Sequence, residues 1–164
     1  MPGPATTSMP NAWIAMGVGS RAFVDTNVLL YAHDGTETTK QRIARTVLEG
    51  LWASEEGALS TQVLQEFYVV ATRKVTRPLS RNEAREIVEL YSAWPVVVTD
   101  PTLILAATRT EEEHQLSFWD ALIVEAARIA GAKRLLTEDL QDGRVIEGVR
   151  VENPFRTSTQ AAST

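Results

Sequence analysis

The chain has 164 residues, 44% hydrophobic and 23% charged, proportions that suit one globular domain around a single core. Its formal net charge of −5 argues against a protein that coats nucleic acid, though not against an enzyme that meets it briefly. The absence of cysteine excludes disulfides and thiolate metal sites, and no apolar run approaches the ~18 residues of a membrane span.

Residues 1–20 carry Pro, Gly, Ser and Thr without charge or periodicity, and read as a flexible leader. The apolar stretch Ala12 to Val18 is short and no basic side chain precedes it, so a secretory signal is not expected and a cytoplasmic protein is. Ala22-Phe23-Val24 reads as a buried strand that ends abruptly at Asp25. A short helix is expected over Val28 to Tyr31, and a longer one over Thr38 to Ala53 with Ile43, Val47, Leu48 and Leu51 on one face. Gly57 to Thr61 is the second candidate strand. The spacing of Val63, Leu64, Phe67, Val70 and Ala71 predicts a helix over Gln62 to Val75, and Ser80 with Glu83 marks a capping box that opens another, running to Trp94.

Pro95 ends that helix, and Val96-Val97-Val98 reads as a third strand. Pro101 suits the first turn of a helix reaching His114, and Trp119 to Ala130 forms the next, closed by Gly131. Arg134 to Thr137 is a fourth strand and Val149 to Val151 a weaker fifth. Strands separated by helices predict an α/β domain, three layers with a mainly parallel central sheet of four to five strands flanked by helices, over residues 21–155, followed by a flexible tail at 156–164.

Parallel sheets place ligand sites beyond the carboxyl ends of their strands. Asp25 stands at the end of the first strand and Asp139 just past the fourth, Asp120 begins a helix, and Glu66 lies on the flank of the Phe67 stripe, beside Val70. Carboxylates converging on one pocket raise one another's pKa unless cations share the space. Hard divalent ions relieve this and prefer oxygen ligands.

Four segments carry a resemblance: Phe23-Val24-Asp25-Thr26-Asn27-Val28-Leu29-Leu30-Tyr31-Ala32, Gln65-Glu66-Phe67-Tyr68, Leu116-Ser117-Phe118-Trp119-Asp120-Ala121-Leu122-Ile123 and Leu135-Leu136-Thr137-Glu138-Asp139. Together and in this order they resemble the motifs of PIN-domain ribonucleases, most closely the VapC toxins of bacterial toxin–antitoxin pairs. The resemblance implies that Asp25, Glu66, Asp120 and Asp139 form an acidic quartet for Mg²⁺ or Mn²⁺, with Glu138 and Asp142 as competitors for the fourth place. It assigns Thr26, Asn27 and Thr137 to shaping the site. It further implies an endoribonuclease toxin, a homodimer, and a cognate VapB-type antitoxin that neutralises it.

Plainer roles exist for each residue. Asp25 can cap the helix after it, Ser117 and Asp120 have capping-box spacing, and Asp139 and Asp142 suit a turn beside Gly143. His33 and His114 read as surface or packing residues, Trp119 as core or interface before groove lining, Glu125 and Arg128 as a helix-surface pair, and Arg73, Lys74, Arg77 and Arg81 as a solvated basic turn. Two other functions compete: a PIN-like RNA- or protein-binding module with weak catalysis, and an aspartate-nucleophile phosphatase. The phosphatase needs a second aspartate where this chain has Asn27.

Overall fold

A computed structural model describes residues 20–156. The leader and tail expected at residues 1–20 and 156–164 lie, apart from Ser20 and Arg156, outside the described residues. Strand β1 (Ala22–Val24), helices α1 (Thr26–Ala32) and α2 (Thr38–Ser54), strand β2 (Gly57–Ser60), helices α3 (Thr61–Arg73) and α4 (Arg81–Tyr91), strand β3 (Val96–Val97), helices α5 (Pro101–His114) and α6 (Phe118–Ile129), and strands β4 (Arg134–Leu136), β5 (Val145–Ile146) and β6 (Val149–Glu152) follow in chain order. No helix among them is long and apolar enough to cross a membrane.

The sheet runs β3-β2-β1-β4-β6-β5, and every pair is parallel except β5 with β6. Steps from β1 to β2 to β3 go one way, and β4 returns to the other side of β1. Right-handed crossovers therefore place α1 to α4 over one face and α5 with α6 over the other. The packing agrees: α1 lies against α2 and α3, α3 against α4, and α5 against α6. The sheet has one strand beyond the four or five expected. Val145–Ile146 is too short to show alternation, and its pairing with β6 depends on a tight turn at Glu147 and Gly148, whose φ angles are 51° and 78°.

Phe23, Val24, Leu59 and Leu135 on the strands and Leu29, Phe67 and Leu103 on the helices are all fully enclosed, each contributing roughly 1.5–3 kcal/mol through burial. β1 is buried at all three positions because helices cover both faces of the sheet. Helix α4 stops at Tyr91, short of the Trp94 expected from sequence. Pro95 disfavours helical backbone at Trp94, whose ring instead turns inward, 5.0 Å from both the Trp52 and Tyr91 rings.

That ring lies on Gly57. A Cβ added there would stand 2.6–2.7 Å from three carbons of the Trp94 indole, and the indole is held by two other aromatics. Gly57→Ala is therefore expected to destabilise the domain by about 1–3 kcal/mol, read as a lowered Tm. An unchanged Tm would mean the aromatic cluster yields freely.

Candidate metal centre

The register of β1 against β4 pairs Val24 with Leu136, so Asp25 and Thr137 are the next residues out of two adjacent strands. The Asp25 N–H donates to the Leu136 carbonyl at 3.0 Å, and the Thr137 hydroxyl donates to Asp25 Oδ2 at 2.8 Å. This point, between β1 and β4, is where the strand order reverses, the usual place for a ligand crevice in an open sheet. Asp25 is also the N-cap of α1: its Oδ1 accepts the Thr26 N–H at 2.7 Å. Capping uses one carboxylate oxygen and leaves the other to the site.

Two polar residues at the start of α1 extend the cluster in opposite directions. Thr26 Oγ1 donates to Glu66 Oε2 on α3 at 3.0 Å. Asn27 Nδ2 donates to Asp139 Oδ2 at 3.1 Å, to Thr137 Oγ1 at 3.2 Å and, more weakly, to Asp25 Oδ2 at 3.5 Å. The Asp139 N–H donates back to Thr137 Oγ1 at 3.1 Å. Thr137 is thus a fully buried hub with one donor and two accepted bonds, the whole capacity of a hydroxyl.

The three competitors for the fourth position separate here. Asp139 joins the network. Glu138 turns away, accepting from Tyr31 Oη at 2.5 Å and from Lys40 Nζ at 3.0 Å. Asp142 accepts the Asn153 N–H at 2.8 Å and pairs with Arg156 at 3.0 Å, a turn residue. Asp120 stands at the third position of α6, where its N–H reaches Ser117 Oγ at 3.1 Å. Its carboxylate does not bond back to the Ser117 amide as Glu83 does to Ser80. Among the described residues no donor reaches it, and its charge acts on Asp139.

Several residues took places that the sequence did not indicate. Gln62, one helical turn before Glu66, donates to Glu66 Oε1 at 3.1 Å and to the Trp119 carbonyl at 3.4 Å; the i,i+4 spacing was its only sequence signal. Glu125, expected on a helix surface with Arg128, is buried. It accepts the Thr110 hydroxyl at 2.7 Å and pairs with Arg128 at 2.8 Å, because α6 is covered by α5 as well as by the sheet. His33 packs edge-on against Phe67 with centroids 5.9 Å apart. Arg73, Lys74, Arg77 and Arg81 are all exposed.

Another gathering of possible ligands lies elsewhere. Glu113, His114 and Glu147 bring one ligand atom each within 4.8 Å of one another, around the His114–Glu147 contact of 2.8 Å. Among the described residues no three of the four predicted carboxylates approach that closely, since Thr26, Asn27 and Thr137 stand between them.

A family profile described as "PIN domain" matches residues 22–145. The chain belongs to the PIN domain family. Among solved structures its fold is similar to a toxin–antitoxin complex from Klebsiella pneumoniae, with a TM-score of 0.63 and 21% identity over 83% of this chain and 99% of that one. It is also similar to DNA-bound VapBC from Salmonella typhimurium, at 0.59 and 18% over 82% and 98%. VapC20 of Mycobacterium tuberculosis, a sarcin-ricin loop cleaving toxin, matches at 0.51 and 22% over 79% and 98%. At these identities the likeness is one of fold. No curated protein matches the sequence.

In this PIN domain the electrostatics centre on Asp25. Burial raises its pKa from 3.8 to about 7, against the lowering effect of the Thr137 hydroxyl and Thr26 N–H, with Asp139 and Glu66 adding repulsion. Asp139 is also raised, by burial first, then by Asp120 and Glu138, while the Asn27 amide opposes the shift. The donor set is oxygen throughout, which suits a hard divalent cation. One buried side-chain atom reinforces the fit: Asn27 Oδ1 has no hydrogen-bond partner. The orientation of that amide is set by its neighbours, because both carboxylates and the committed Thr137 hydroxyl can only accept from it.

Ionising Asp25 opposes folding wherever the pH exceeds its unfolded pKa. A raised carboxyl pKa gives stability that is full below about pH 4 and lost as pH climbs through about 7. In EDTA, Asp25→Asn should therefore match wild type near pH 4 and exceed it above pH 7 by up to about 4 kcal/mol, measured by thermal melts across pH. A gap independent of pH would show that Asp25 titrates normally.

Proposed function

We propose that this PIN domain is a metal-dependent endoribonuclease toxin, with Asp25, Glu66, Asp120 and Asp139 holding Mg²⁺ or Mn²⁺ and RNA as its substrate. The observation that carries this reading is the buried Asp25 carboxylate at the strand-order reversal, crowded by two other acids and carrying a raised pKa. Such a group gains most from a cation. When bound, divalent ions supply an activated water and charge neutralisation for in-line cleavage of a phosphodiester. The chain's own part is positional: Thr137 aims Asp25, Asn27 aims Asp139, Thr26 and Gln62 aim Glu66, and the α6 cap sets Asp120.

The same reading includes a protein partner. The structures that resemble this chain are toxins and toxin–antitoxin complexes, and we infer a cognate VapB-type antitoxin, a homodimer and a cytoplasmic setting. A cavity of about 350 Å³ between α3 and α4, lined by Leu64, Tyr68, Val69 and Val88 with Gln65 and Arg85, offers mostly apolar surface that such a partner would cover.

Incubation of total RNA with Mg²⁺, and with EDTA as control, tests the assignment. Asp25→Asn and Asp120→Asn should abolish metal-dependent cleavage with circular dichroism unchanged. Thr137→Val, which removes only the hub hydroxyl, should lower metal affinity or activity by about 10–100-fold. Undiminished cleavage by Asp120→Asn would overturn the quartet.

A further inference from the structure

Trp119 is 62% exposed; from sequence, core or interface was the first expectation and groove lining the second. Single exposed apolar side chains are ordinary on protein surfaces, so it is the position of this one that bears on its role. Here the exposed ring belongs to the residue immediately before Asp120, on the first turn of α6. The ring meets Phe118 edge-on at 5.3 Å, and Phe118 packs against the core. The Trp119 carbonyl shares the Gln62 amide with Glu66 Oε1, at 3.4 Å and 3.1 Å. One side-chain amide thus ties the backbone under the indole to a carboxylate of the candidate site.

What this ring would cover follows from charge. Among the described residues, the side chains that hydrogen-bond with the site carboxylates are Thr26, Asn27, Gln62 and Thr137, and none of these is cationic. Lys40, the basic residue nearest in the network, is committed to Glu138 and Tyr31. The net charge of −5 adds no general attraction for phosphates. A grip that does not depend on charge would complement the cations proposed for the site. Stacking of an unpaired base on an aromatic face is that kind of grip, and it tolerates any base.

We propose that Trp119 is the platform on which a nucleobase next to the scissile phosphate stacks, so that the substrate must present an unpaired nucleotide at the cleavage point. This rests on the nuclease reading above, and Trp119 would act in binding, not in the bond-breaking step. A helix residue about 100° round from Asp120 can hold the base while the neighbouring carboxylate addresses the phosphate side.

The test compares wild type, Trp119→Phe and Trp119→Ala as full chains with Mg²⁺, using a single-stranded RNA of mixed sequence as the probe. Trp119→Ala should raise KM roughly tenfold with little change in kcat, the loss expected of one stacked base. Trp119→Phe, which keeps an aromatic face, should restore most of it. RNA should quench the wild-type tryptophan fluorescence, and Trp119→Phe should remove most of that quenching. Equal KM values in all three proteins, with wild type active, would overturn the proposal. So would loss of self-association in Trp119→Ala at unchanged KM, which would make the ring an interface residue. If wild type cleaves no RNA yet its indole is still quenched, stacking stands and the nuclease reading fails. If neither occurs, both fail.

Discussion

The hydrogen bond between the Thr137 hydroxyl and Asp25 Oδ2, 2.8 Å long and fully buried, is the contact on which the candidate site depends. It exists because β1 and β4 are parallel neighbours in a register that ends both strands at the same level. A carboxylate at the end of a central strand loses water on all sides. It persists only because a hydroxyl, a helix N-terminus and a neighbouring amide each supply a donor. Those donors do not neutralise it, as the raised pKa records. The site is therefore held in a state that a cation would relieve, and the fold carries the cost of keeping it so.

Around this point the chain uses neutral polar residues as spacers between acids. Thr26 reaches Glu66, Asn27 reaches Asp139, and Gln62 steadies Glu66 from one turn away. Neutral spacers set positions without cancelling charge, which basic residues would do. Lysine and arginine do appear near the network, but paired outward: Lys40 with Glu138, and Arg156 with Asp142. Glu138 and Asp142 thus have cationic partners, while Asp139 is held by the Asn27 amide.

Asp120 depends on a more distant support. It lies on α6, whose other end is pinned to α5 by the buried Glu125, joined to Thr110 and Arg128. A buried charged group costs free energy unless it is fully bonded, so this linkage fixes how the two helices meet. The orientation of α6 in turn sets where Asp120 and Trp119 emerge at the rim. Packing on the far face of the sheet thus reaches the site through one helix.

The sequence alone determined the α/β class and the order of most elements, because apolar periodicity and cap residues are local signals; the four acids were singled out only by the resemblance of their motifs. Val24 before Asp25, Ser80 with Glu83 and Pro101 at a helix start all act within a few residues. Pairing β5 with β6 needed tertiary structure, since two residues carry no pattern. So did the burial of Glu125, which follows from being covered on two sides, and the different partners of Glu138, Asp139 and Asp142, three acids within five positions of one another. The exposure of Trp119 belongs with these: spacing tells which face of a helix is apolar, while only packing decides whether anything lies over it.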